Sequence, residues 1–120
     1  ASPSSVQAAI DVLASSAGRR VMVLGDMAEL GAECEKLHQQ VGDYALDAGI
    51  DALYTLGNLS AFASSSFNGQ HFEDIDLLKQ ALSKEILVES EKRSDLTILV
   101  KGSRSSNMDL VVDMLMAENS

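Results

Sequence analysis

Two short polar segments of this sequence carry side chains that could do chemistry. In the first, Asp26 stands directly after the apolar run VMVLG, and Glu29 follows three residues later. A carboxylate in that place suits an ammonium group. The second segment is KGSR at residues 101–104, where two cations and a hydroxyl precede a predicted helix. That combination suits a carboxylate or a phosphate.

Each segment also has an ordinary structural explanation. Asp26 and Glu29 can form a solvated loop that favours the N-terminus of the following helix. The KGSR segment can be a basic turn that neutralises neighbouring acids. His38 lies beside the core position Leu37. We interpret it as a packed or surface histidine rather than a catalytic one.

The composition excludes several classes of protein. A net charge of −9 disfavours a nucleic-acid-binding module and adsorption to anionic membranes. The chain is 46% apolar over 120 residues, which predicts a single globular domain spanning 1–120. Its one cysteine, Cys34, excludes an internal disulfide. No segment resembles a signal peptide or a membrane span, and the first residue is not methionine. We interpret the chain as a piece of a longer protein.

Common catalytic and phosphate-binding motifs are missing. The sequence has no G-x-x-x-x-G-K-[ST] motif, and the segment from Gly25 to Gly31 does not fit G-x-G-x-x-G. No nucleophile–histidine–acid set and no cluster with metal-ligand spacing stands out. We therefore predict no catalytic residue and no metal ligand within this chain. Phosphate chemistry would need another domain to hold the phosphates.

Three apolar runs of strand length predict a buried sheet. They are VMVLG, LYTLG and TILVKG, and they end at Gly25, Gly57 and Gly102. Because they alternate with helical patterns, they predict an α/β fold: a Rossmann-like, open, mostly parallel sheet with helices on both faces. Ligands of such sheets bind outside the carboxyl ends of the strands. We therefore expect one strand-end edge formed by Asp26, Asn58, Lys101, Ser103 and Arg104.

The last third of the chain contains two further boundary signals. Asp74 predicts the N-cap of a long helix, and the polar segment 89–95 predicts the loop after it. Ser106 and Asp109, spaced as in a capping box, predict the start of the last helix. The apolar stripe of that helix is expected at Met108, Val111, Val112 and Leu115.

The two polar segments, together with the first three residues of the chain, resemble one family. ASP at residues 1–3 is similar to the tail of the motif Y-N-A-N-P, with Ser2 where many members have asparagine. LGDMAELG at 24–31 and KGSRS at 101–105 are similar to two further motifs. The sequence resembles the C-terminal domain of the Mur ligase family over essentially its whole length. Within that family, the motifs are typical of the branch that adds D-alanyl-D-alanine.

The resemblance implies a three-domain, ATP-dependent amide ligase of bacterial peptidoglycan synthesis, located in the cytoplasm. Its substrates would be UDP-N-acetylmuramoyl-tripeptide and D-alanyl-D-alanine. ATP, with Mg²⁺, would activate the peptide carboxylate as an acyl phosphate, which the amine of the dipeptide then attacks. ATP and Mg²⁺ are expected mainly in a central domain outside this chain. The isolated chain is therefore expected to be inactive.

The resemblance also implies what this domain does. It would close over the central domain and exclude water from the acyl phosphate. Its strand-end loops would help to hold the dipeptide and the ribose and base of the nucleotide. We predict binding contacts at Asp26, Lys101, Ser103 and Arg104, and further contacts at Ser2, Glu29 and Asn58.

Two alternatives of other classes stay open at this point. A receiver-like signalling domain also has a lysine after its last strand, but it needs an acceptor aspartate where this sequence has Gly57-Asn58. A stand-alone nucleotide-binding module would need a phosphate-binding motif that the sequence lacks.

Overall fold

The computed structural model describes residues 3–27 and 33–118. In chain order its elements are α1 (Pro3–Ala14), β1 (Arg19–Gly25), α2 (Cys34–Asp47), β2 (Ala52–Leu56), α3 (Ser60–Phe67), β3 (Gln70–Phe72), α4 (Ile75–Lys92), β4 (Leu96–Lys101), a short 3-10 helix (Arg104–Ser106) and α5 (Met108–Glu118). None of the described helices is long and apolar enough to cross a membrane.

The four strands form one sheet, and every neighbouring pair is parallel. The strand order is β3-β2-β1-β4, so β1 lies inside the sheet. In the register of the sheet, Gly25 of β1 stands beside Leu56 of β2, and Leu24 stands beside Lys101 of β4. The carboxyl ends of these three strands therefore lie side by side. The predicted α/β architecture is confirmed.

Alternate residues of β1 feed two separate cores, because successive side chains of a strand point to opposite faces. Met22 and Leu24 pack with α1, α2 and α3 on one face. Val21 and Val23 pack with α4 and α5 on the other face. All four side chains are fully buried. The helices thus cover both faces of the sheet, as the end-to-end apolar strands predicted.

The segment predicted as a loop at 89–95 is largely helical, so that prediction was wrong for its first four residues. Helix α4 continues to Lys92 and ends at Arg93, which has a left-handed backbone (φ 56°) and donates its N–H to the Glu89 carbonyl. Glu89 is only 5% exposed, with Lys92 3.4 Å from its carboxylate. A buried, paired glutamate looks like a loop residue when only its polarity is considered.

The predicted start of the last helix also needs correction. The Ser106 hydroxyl does not cap the helix; it donates to the Ser103 carbonyl at 2.5 Å. Asn107 has a left-handed backbone (φ 61°), and α5 begins only at Met108. Val112, predicted in the core stripe, is 41% exposed. The chain thus turns after the KGSR segment, with Ser106 bonded to the Ser103 carbonyl, before the helix starts.

An ionic network on the α4 face joins two strands to that helix. Arg19 at the start of β1 donates two hydrogen bonds to Glu85, at 2.7 and 3.0 Å. The Tyr54 hydroxyl of β2 donates to the same carboxylate at 2.9 Å. Burial and then this carboxylate raise the pKa of Tyr54 to about 12. Glu85 is 8% exposed, so its three bonds compensate for the loss of water around a charge.

Replacement of Glu85 by alanine is expected to lower the free energy of unfolding by about 1.5–3 kcal/mol, the usual contribution of hydrogen bonds to a charged group. The Tyr54 hydroxyl and the Arg19 guanidinium would lose their common acceptor. Urea denaturation of the chain measures the change. Lys84→Ala, one residue earlier on α4 and exposed, is the matched control and should stay within about 0.5 kcal/mol. Equal stability of the Glu85 variant would show that the network is not a stabilising feature.

Candidate functional site

The loops that follow β1, β2 and β4 meet at one edge of the sheet. The Ser103 N–H donates to the Asp26 carbonyl at 3.0 Å, which joins the β4 loop to the β1 loop. The Asn58 N–H donates to Asp26 Oδ2, also at 3.0 Å, which joins the β2 loop. With Lys101 at the end of β4, the predicted strand-end edge is confirmed as a spatial arrangement.

The Asp26 carboxylate lies at the N-terminus of α3. Its Oδ1 accepts the Ser60 N–H at 2.8 Å, and its Oδ2 accepts the Asn58 N–H. Gly57 makes this approach possible: it has φ +123°, and a Cβ atom there would lie 2.5 Å from Oδ1. The carboxylate thus supplies the acceptors that the first turn of α3 needs, from a different part of the chain.

These contacts set the acidity of Asp26. Partial burial alone would raise the pKa of this carboxyl. The backbone N–H groups of Asn58, Ser60 and Leu59, together with the Ser60 hydroxyl, outweigh burial and hold the pKa below its usual value. The side chain is therefore an anion at neutral pH, and its charge faces the positive end of a helix.

Asp26→Asn is expected to lower the free energy of unfolding by about 1 kcal/mol at pH 7, as the loss of a helix cap typically does. A carboxyl with a lowered native pKa stabilises the fold above its unfolded pKa of about 3.9, and that contribution is lost as the pH falls through the native pKa. The stability difference between parent and variant should therefore be constant above about pH 5 and shrink below about pH 4. Urea denaturation at several pH values tests this. A stability difference that does not change with pH would contradict the lowered pKa of Asp26.

His38 is packed inside the domain, as interpreted from the sequence. It is fully buried on α2, and its Nε2 accepts the Met27 N–H at 3.0 Å. Because Nε2 accepts, Nδ1 carries the proton and donates to the Cys34 carbonyl at 2.6 Å. The ring fixes the backbone that follows Asp26. Its removal would leave the Met27 N–H without this acceptor.

The KGSR segment packs closely against the end of β1. A Cβ atom on Gly102 would lie 2.5 Å from the Ser106 hydroxyl, and one on Gly25 would lie 2.7 Å from it. The two glycines thus serve close packing of the segment on the sheet. Lys101 is half-buried and takes part in no ion pair among the described residues.

The remaining residues predicted to contact ligands differ in how far the structure describes them. Asn58 is exposed in the turn after β2, and Ser103 is half-buried with its hydroxyl 2.9 Å from that of Ser105. Arg104 is described by its backbone, which lies in the 3-10 helix. Ser2 and Glu29 lie outside the described residues.

Sequence reasoning missed a histidine that supports this edge from β3. His71 Nδ1 lies 2.7 Å from the Thr55 hydroxyl, and Nε2 lies 2.8 Å from the Gly57 carbonyl. The ring therefore holds the end of β2, just before Asn58. The pairing depends on Thr55 and His71 being partners in the sheet. No spacing along the sequence could have indicated it.

Two grooves of the described chain lie away from the strand-end edge. A groove of about 640 Å³ runs between α4, β4 and α5, lined in part by Ile86, Leu96 and Val112. A second, of about 390 Å³, is next to Arg19 and Glu85. The strand-end residues line neither groove.

Comparisons with known proteins agree with one another. The family profile described as Mur ligase, glutamate ligase domain, matches residues 1–104. The UDP-N-acetylmuramoyl-tripeptide–D-alanyl-D-alanine ligase of Escherichia coli strain K12 is 47% identical over 112 residues, which is 92% of this chain and 24% of that protein. A crystal structure of MurF from Acinetobacter baumannii superposes with a TM-score of 0.85 at 27% identity, over 98% of this chain and 26% of that one.

A further solved structure shares the fold. The MurF ligase from Thermotoga maritima in complex with ADP has a TM-score of 0.78 at 22% identity, over 98% of this chain and 26% of that one. The chain thus spans about a quarter of the length of the curated relatives it matches.

Proposed function

Because the chain belongs to the Mur ligase family, we propose that it is the C-terminal domain of a UDP-N-acetylmuramoyl-tripeptide–D-alanyl-D-alanine ligase. The enzyme would have a central and an N-terminal domain besides this one and would act in the bacterial cytoplasm. Its reaction joins the amine of D-alanyl-D-alanine to the peptide carboxylate of the nucleotide-linked sugar. The 47% identity to the E. coli ligase over 92% of the chain is the observation that carries this proposal.

In this reaction the peptide carboxylate is activated as an acyl phosphate, and the amine of the dipeptide displaces phosphate from it. ATP, when bound, supplies the phosphoryl group; a MurF ligase of the same fold is known in complex with ADP. Water would hydrolyse the activated carboxylate. The strand-end edge of this domain, where the loops after β1, β2 and β4 meet, suits a surface that closes over the central domain and removes water.

The KGSR segment is the part of the edge that we assign to anions. Lys101 and Arg104 would attract the carboxylate of the dipeptide or a phosphate of the nucleotide, and Ser103 would donate a hydrogen bond. Lys101 is half-buried and unpaired among the described residues, so its charge is available to a ligand. Asn58 and Asp26 belong to the same edge. Ser2 and Glu29 remain proposed contacts from the family motifs.

Magnesium is part of the proposed enzyme but is assigned to no residue of this chain. Among the described residues, no group of three or more histidine, cysteine, aspartate or glutamate side chains could hold a metal ion. We propose that Mg²⁺ and the phosphates of ATP are held mainly by the central domain.

The proposed function is tested with the complete enzyme, ATP, Mg²⁺, UDP-N-acetylmuramoyl-tripeptide and D-alanyl-D-alanine. We expect the amide product by mass spectrometry and one phosphate released per bond formed. Omission of the dipeptide should remove the product. A folded enzyme that consumes ATP but forms no amide with this dipeptide would refute the proposal.

The two alternatives of other classes receive no support from the comparisons. A receiver-like domain needs an acceptor aspartate where this sequence has Gly57-Asn58, and the family match describes a different kind of domain. A stand-alone nucleotide-binding module is not what the family match describes.

A further inference from the structure

We infer that Asp26 is a positioning residue of the proposed ligase: its carboxylate fixes the β2–α3 turn against the end of β1, and the loops of the strand-end edge are thereby held as one unit. The inference rests on the proposed function. It differs from a direct contact between Asp26 and the ammonium group of the dipeptide, which the residue type alone favoured.

Asp26 and Met27, at the end of β1, connect this strand to the β2–α3 turn, the β4 loop and α2. The carboxylate of Asp26 binds the N–H groups of Asn58 and Ser60, which belong to the β2–α3 turn. The carbonyl of Asp26 accepts the Ser103 N–H of the β4 loop. The next residue, Met27, donates its N–H to the buried ring of His38 on α2. A shift of this short segment would therefore move every loop of the edge.

The carboxylate of Asp26 is already bound by donors of the protein itself. Each oxygen accepts a backbone N–H at 2.8 or 3.0 Å, and Gly57 is so close that a Cβ atom there would lie within 2.8 Å of both oxygens. The first turn of α3 already supplies positive charge to this anion. Both oxygens of Asp26 thus bind the turn, and this role of the carboxylate needs no ligand.

As a positioning residue, Asp26 would affect catalysis through the ligand-binding groups on the loops that it holds. Lys101 and Ser103, which we assign to anions, are joined to the β1 loop through the Ser103 N–H, and Asn58 is joined to it through the carboxylate. A misplacement of about 1 Å in binding groups can cost roughly a hundredfold in rate. Loss of the Asp26 contacts should therefore weaken the use of both dipeptide and ATP, whereas loss of a direct contact would affect the dipeptide alone.

Two substitutions separate the charge of Asp26 from its position. Asp26→Asn keeps the shape and removes the charge. Gly57→Ala keeps the charge, but its methyl group would displace the carboxylate. Asp43→Asn, an exposed acid on α2, is the control. The measurements are the hydrogen-exchange rate of the Ser60 amide in the 120-residue chain and kcat/KM for each substrate in the complete enzyme.

Positioning predicts that Asp26→Asn speeds exchange of the Ser60 amide about tenfold or more. It also predicts that kcat/KM for ATP and for D-alanyl-D-alanine falls about tenfold or more. Gly57→Ala should change both measurements in the same way. Asp43→Asn should change neither the exchange rate nor kcat/KM. A higher KM for the dipeptide alone, with normal exchange and a normal Gly57 variant, would overturn the inference. If Gly57→Ala does not fold, Asp26→Asn decides by the same measurements. If the parent enzyme has no ligase activity, the proposed function fails, and unchanged exchange in Asp26→Asn would separately refute the positioning role.

Discussion

Replacement of Gly42 by alanine is expected to lower the free energy of unfolding by about 3 kcal/mol, toward the upper end of overpacking effects. Gly42 lies on α2 where that helix crosses α3. A Cβ atom at this position would be 2.3 Å from the carbonyl oxygen of Ala63 and 2.9 Å from its carbonyl carbon. Both atoms belong to the backbone of α3, so no side chain can move aside. The two helices would have to separate, and the core between them would open.

The direction of this effect opposes helix propensity, which makes the experiment decisive. In an exposed helix, alanine stabilises relative to glycine by up to about 1 kcal/mol. Urea denaturation followed by circular dichroism gives the stability of both proteins. Asp43→Ala, the exposed neighbour on the same helix, should change stability by no more than about 0.5 kcal/mol. A Gly42 variant as stable as the parent would mean that α2 and α3 are not packed as closely as described.

Lys101→Ala in the complete enzyme is expected to reduce kcat/KM by about ten- to a hundredfold, the equivalent of one lost charge-assisted contact of about 1.5–3 kcal/mol. Lys101 is the last residue of β4, beside Leu24 of β1, and its ammonium group is in no ion pair among the described residues. The thermal stability of the enzyme should change little, because no ion pair among the described residues is lost.

Lys84→Ala is the matched control for this experiment. It also removes one lysine charge, but from the exposed surface of α4, and should leave the kinetics unchanged. Lys101→Arg should retain part of the activity if the ligand needs a cation at this place. Normal kinetics of the Lys101→Ala enzyme would show that Lys101 does not contribute to ligand binding. The KGSR segment would then be a structural turn.

Much of the fold could be predicted because the signals for it are local. The apolar runs at the three long strands, each ending in glycine, predict parallel strands and the edge at which they end. The expectation that all three are buried holds for β1 and β2 but is wrong for β4, an edge strand without a buried residue. The register then places Asp26, Asn58 and Ser103 together, as parallel strands require. The helical extension to Lys92 escaped prediction because Glu89 is polar in sequence but buried in the fold.

The contacts of the site could not be predicted, because each one depends on tertiary structure. Asp26 is bound by a turn that lies 32 to 34 residues further along the chain. His71 meets Thr55 only through the pairing of β2 with β3. A carboxylate that follows a strand looks the same in sequence whether it binds a ligand or the N-terminus of a neighbouring helix. Only the geometry favours positioning for Asp26.

The most direct test of the proposed function is to exchange the matching segment of the E. coli ligase, 112 aligned residues, for this chain. The chimaeric enzyme is then assayed with ATP, UDP-N-acetylmuramoyl-tripeptide and D-alanyl-D-alanine. If the chain is the C-terminal domain of such a ligase, the chimaera should form the amide product with a kcat within about tenfold of the E. coli enzyme, a change of about 1.4 kcal/mol in the barrier. A folded chimaera that binds ATP but forms no amide would contradict it.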